Sequence, residues 1–279
     1  MTLRVLAYCA IGGCALTLPA LGGGHFVLWW LSGTLLAAAF VPVAVYGPKG
    51  VRAQFGAIAP ALALTSVFCT WTEAVVFVPL FRPEAVANLV GASVTYLLFA
   101  AAVALLAAAL KLHRPTDGVV PHRPPLATAV RVLACGCAYA VYYLIFGAIT
   151  FQFFTHDFYP EATEQVARLG GWFWAMQIGR GILMTLSVLP IVYTLRMSRG
   201  QAALAVGAIL WVAGGLALLI VPSSFMGAAQ RMIHTVEILT QNVPLGATIV
   251  LLMRPGRNHQ TFLTRSVAIN PARRNADVM

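Results

Sequence analysis

Runs of about twenty apolar residues recur along the chain, at 4–21, 26–46, 56–79, 87–110, 130–154, 172–195, 202–221 and 232–253, and they constrain the fold more than any other feature. A helix needs roughly 20 such residues to cross a ~30 Å hydrocarbon core, where only an internally hydrogen-bonded backbone is tolerated. Charged residues make up 9% of the 279 residues and hydrophobic ones 60%, whereas soluble domains carry about 25% charged residues. The alternating ten-residue segments of a β-barrel are absent from the sequence. The expected fold is an all-α, polytopic transmembrane helix bundle of about eight spans. Residues 1–253 form a single helical membrane domain and 254–279 a basic tail.

A net charge of +10 would suit a nucleic-acid partner in a soluble protein. In a membrane protein basic residues first report which loops stay in the cytoplasm, so no nucleic acid is expected. With both termini cytoplasmic, fourteen of the eighteen Lys and Arg residues fall on the cytoplasmic side, and Arg82, Arg168 and Arg231 on the other; Arg180 lies inside a span. The acids have the opposite bias. Glu73, Glu84, Asp157, Glu161, Glu164 and Glu237 fall on or near the outer side, and only Asp117 and Asp277 inside. The tail from Arg254 to Met279 carries five arginines and is expected to be drawn to anionic lipid. The expected location is the inner (plasma) membrane, with the bilayer as first partner and another membrane protein as a further one.

The first run, Arg4 to Leu21, closes at Gly22-Gly23-Gly24. A signal peptide and a lipoprotein signal at Cys14 compete with a retained helix, which is preferred because the apolar stretch continues past Cys14. Pro60 and Pro79 should kink or tilt the third run. Lys111 to Pro125 is the natural midpoint, but no repeated motif links the two halves. Tyr139, Tyr142, Tyr143 and Phe146 make an aromatic stripe on the fifth span that reads as packing. The loop after it, from His156, contains a short expected surface helix from Pro160 to Leu169. Cys9, Cys14, Cys69, Cys135 and Cys137 lie in apolar runs without a C-x-x-C pair and read as buried free thiols. The seventh span is featureless.

Polar residues inside two of the runs define the candidate site. His234, Glu237 and Gln241 share one helix face by their i, i+3, i+7 spacing, and Asn242 comes directly after them. Arg180 sits in the middle of Gln177-Ile178-Gly179-Arg180-Gly181. A charge at membrane depth costs roughly 2.5–3.5 kcal/mol on insertion scales, so such residues face the protein interior and pair there. Glu237 is the first expected partner of Arg180, and Glu73 the second. At 1.5 Å per residue, Glu237 and Arg180 lie about 8 Å and 12 Å below the outer starts of their spans, similar enough to meet. Such a pair either handles a substrate or proton, or fixes helix register as a static buried ion pair.

The spacing His234-x-x-Glu237 could also ligate a metal with His156 and Glu73 as further donors, a weak signal because H-E-x-x-H is missing. An intramembrane enzyme could use the same Glu/His set for acid/base or metal-assisted chemistry, although no G-x-S-x-G is present. A retinal protein lacks its lysine, since Lys49 and Lys111 lie outside the spans, and no Walker A loop occurs. His234 alone lies well inside a span, which disfavours bis-histidine haem ligation. No cofactor is specified by these residues, and whether the chain is an enzyme is left open. The leading expectation is an outward-facing polar cavity lined by Glu73, Gln177, Arg180, His234, Glu237 and Gln241 that binds or transports a small solute, with or without proton coupling. The alternatives are the intramembrane enzyme and a non-catalytic assembly subunit.

Overall fold

A backbone in lipid must satisfy its own hydrogen bonds, and the computed structural model answers with helices. It describes residues 1–17, 24–77, 85–114, 123–159, 162–223 and 226–255. In chain order the helices are α1 (Thr2–Cys14), α2 (Phe26–Tyr46), α3 (Val51–Val76), α4 (Ala85–Ala109), α5 (Pro125–Phe158), α6 (Ala162–Leu169), α7 (Gly171–Thr194), α8 (Arg199–Ile220) and α9 (Ala228–Met253). Seven of them, all but α1 and α6, are long and apolar enough to cross a membrane. The chain is a multi-pass helical membrane protein. Asp117, Glu84, Glu161, Asp277, Pro79, Pro160 and the tail from 256 onward lie outside the described residues.

The expected first span is the main departure. The α1 helix has 13 residues, about 20 Å at 1.5 Å per residue, which is short of the ~30 Å core. Beyond it the Ala15 and Leu16 amides turn back to Gly12 and Gly13 carbonyls. The fifth span errs the other way: α5 runs 34 residues against an expected 25 or so, longer than an untilted crossing needs. Pro60 does not break α3 and keeps helical backbone angles, φ −61° and ψ −39°. Instead the chain widens into π-helical spacing directly after it, from Ala61 through Cys69.

Three more π-helical segments occur later in the chain, Tyr143–Gly147 and Phe151–Thr155 in α5 and Val212–Leu216 in α8. Each widened turn admits an extra residue and rotates the helix face that comes after it; such turns concentrate at functional sites. Between them, glycines let helices approach backbone to backbone. A side chain on Gly246 of α9 would collide with the Gly207 backbone of α8, and one on Gly181 of α7 would come within 2.5 Å of Tyr139 Cβ on α5. Small residues at such crossings replace the hydrophobic drive that lipid removes.

One end of the bundle collects basic residues. The Arg114 and Arg196 amides donate to the Val45 and Tyr46 carbonyls of α2, at 2.9 and 2.8 Å. Arg254 reaches from the end of α9 to the Val192, Leu195 and Met197 carbonyls at the end of α7. Arg123 donates to Met253 O at 3.1 Å, and Arg199 donates to Leu251 O. The C-terminal carbonyls of helices carry partial negative charge, so these guanidinium groups are solvated by the fold itself.

Candidate functional site

Arg180 and Glu237 each lie nine residues into their helices, α7 from Gly171 and α9 from Ala228, about 14 Å down by helical rise. Their depths match, as expected, but they are not the ion pair. Arg180 Nη2 donates to Glu73 Oε2 at 2.7 Å, and Nη1 donates to Gln177 Oε1 at 3.0 Å. The Arg180 side chain is 7% exposed and that of Glu73 37%, so the carboxylate is the wetter member. The guanidinium also lies 5.7 and 5.9 Å from the ring centres of Tyr139 and Tyr143, within cation–π reach.

Glu237 builds a second cluster along the expected face of α9. Its Oε2 meets His234 Nδ1 at 2.8 Å, and its Oε1 accepts from Gln241 Nε2 at 3.1 Å. His234 Nε2 is 3.0 Å from the Tyr159 hydroxyl, which hangs from the chain just beyond α5. Both ring nitrogens are therefore engaged, and a run of hydrogen bonds leads from Gln241 through Glu237 and His234 to Tyr159. Burial, with Glu73 and Glu237 adding to it, pushes the Tyr159 phenol up to about 12. It remains an O–H group at neutral pH.

Both clusters face one cavity of about 420 Å³. Its wall takes residues from α3, α5, α6, α7, α8 and α9, and every π-helical segment contributes: Thr65 and Cys69, Tyr143 and Gly147, Phe151 and Thr155, Gly214 and Gly215. A Cβ on Gly147 would sit 3.5 Å from Glu237 Oε1, so the bare backbone there leaves room beside the carboxylate. Asn242 anchors α9 to α8 through Nδ2 donating to Leu210 O at 2.9 Å. Its Oδ1, like Arg180 Nε, is buried without a protein hydrogen-bond partner. A buried polar atom left so costs about 1–3 kcal/mol unless something else satisfies it.

Most of the expected residues meet here: Glu73, Arg180, His234, Glu237, Gln241 and Asn242 line the cavity. Gln177 is buried behind Arg180 and does not line it. His156 does not join, because the 3-10 turn that ends α5 turns it outward, against Asp157 at 3.3 Å and the Phe151 ring. The suggested metal set of His234, Glu237 and His156 therefore does not assemble, and among the described residues no three His, Cys, Asp or Glu side chains lie close enough to hold a metal ion. Tyr159 and Gly214-Gly215 carried no signal in the sequence. The Tyr139 and Tyr143 stripe did, but it read as packing rather than as a bed for Arg180. Compared with known proteins, the chain matches no family model, no curated protein and no solved structure.

Proposed function

We propose that the cavity binds a small solute and carries it across the inner (plasma) membrane, opening on the non-cytoplasmic side. The gathering of four π-helical segments and two ionised clusters around one 420 Å³ space carries this reading. A packing device would close over its charges, whereas here Glu73 is a third exposed and Arg180 Nε and Asn242 Oδ1 lack protein partners. The orientation rests on the Lys and Arg asymmetry, which puts the basic end in the cytoplasm. A thermal-shift screen of small solutes on wild type and Glu237→Gln tests the site. A ligand of the folded state raises its apparent stability, so at least one solute stabilises wild type and fails to stabilise the variant. Identical responses to every solute would remove the cavity as the binding site.

A further inference from the structure

The charges on the cavity wall can be counted. Glu73 comes from α3, Arg180 from α7, and His234 and Glu237 from α9. The other titratable groups on the wall are Cys69 of α3, Tyr139 and Tyr143 of α5, and Tyr159 beyond it; the lining residues of α6 and α8 bring none. Arg180 and Glu73 cancel at 2.7 Å. What remains is Glu237, balanced among the described residues only by His234 at 2.8 Å. With the imidazole protonated, the described charges sum to zero; with it neutral, one negative charge is left on Glu237, whose side chain is only 12% exposed. Such a surplus is costly and attracts either a proton or another cation.

The rest of the wall suits a cation with an apolar body. Six aromatic side chains line the space, Tyr139, Tyr143, Phe151, Tyr159, Phe173 and Trp174. Ring faces attract organic ammonium groups, and Arg180 already uses two of these rings that way.

We propose that the solute is a monovalent organic cation, an ammonium group on a hydrophobic body, taken up in exchange for the proton of the His234–Glu237 pair. This rests on the solute-binding reading of the cavity. The exchange is balanced: the ammonium enters with its N–H bonds intact, the imidazolium Nε2–H bond breaks, and that proton leaves to solvent. Nδ1–H stays on Glu237. Tyr159 accommodates both states without moving, since its oxygen accepts from Nε2–H in the imidazolium and its O–H donates to Nε2 in the neutral ring, at the same 3.0 Å.

The test uses purified full-length protein with phenethylammonium, its neutral analogue 2-phenylethanol, its anionic analogue 3-phenylpropanoate, and tetramethylammonium. Phenethylammonium should stabilise wild type where the alcohol and the carboxylate do not. Where the free site is protonated, its apparent affinity should fall about tenfold per unit drop in pH, with about one proton released per ammonium bound in weak buffer. His234→Gln should still bind it, with no pH slope and no proton release. Equal binding of alcohol and ammonium, or ammonium binding indifferent to pH, overturns the exchange while leaving the cavity as a binding site. If neither ammonium shifts a wild-type protein that some other solute stabilises through Glu237, the cation class is overturned. If Glu237→Gln and wild type respond alike to every solute, the solute-binding reading itself falls.

Discussion

The two ends of the bundle treat positive charge differently. At the basic end, Arg123, Arg199 and Arg254 give their N–H groups to carbonyls at helix termini. At the cavity end, Arg180 gives its N–H groups to a carboxylate and an amide side chain. Two titratable groups outside the spans register the contrast. His113 is held below its ordinary 6.5 by burial and then by Lys49 and Arg196, while Tyr159 is pushed up by burial and then by Glu73 and Glu237. Backbone carbonyls cannot change charge, so the first arrangement is fixed. Carboxylates and imidazole can, so on the solute-binding proposal the second arrangement is the one whose charge changes.

The sharpest way to break this contrast is Glu73→Gln. It strands a buried guanidinium, and the cost should be about 3–5 kcal/mol in reversible unfolding from detergent micelles. Adding Arg180→Gln should recover part of that loss, and strict additivity of the two would show that the pair is not coupled. Arg254→Ala should cost less, about 1.5–3 kcal/mol, because it frees neutral carbonyls and strands no opposite charge. A loss equal to that of Glu73→Gln would erase the distinction between the ends. Tyr159→Phe removes one hydrogen bond to His234 and should cost about 1 kcal/mol, while altering any pH-dependent solute response more than Arg254→Ala does. The smallest effect concerns His113. Its folded value lies below 6.5, so the unfolded chain takes the proton first and stability falls as pH drops below about 6.5. Melting curves of His113→Gln should show a weaker acid-side decline than wild type.

The membrane class, the seven long helices and the shared face of His234, Glu237 and Gln241 were legible because they depend on composition and on a 3.6-residue repeat within one segment. The ion pair was not. Which acid meets Arg180 depends on how α3 and α9 are turned toward α7, and the π-helical segment Ala61–Cys69 lies just before Glu73 and shifts its face. An extra residue in one turn rotates the rest of the helix by roughly 100°, a displacement that a straight-helix projection misses. Tyr159 was hidden for a related reason: two widened turns and a 3-10 turn precede it, so sequence distance gave no hint that it reaches His234. The first run reads as one continuous span because hydropathy continues after Cys14, whereas the helix described there ends at that residue.

The carbonyl bonds at the basic end have a mechanical consequence. Among the described residues, both backbone hydrogen bonds that join separate long helices lie there, tying α2 to the chain after α4 and to the chain after α7. Arg254 fastens α9 to α7 at that same end. A molecule riveted at that rim by bonds to backbone carbonyls holds α2, α7 and α9 together there without spending any ionisable side chain of the cavity. The rim can therefore stay fastened whatever the protonation state of the groups at the other end.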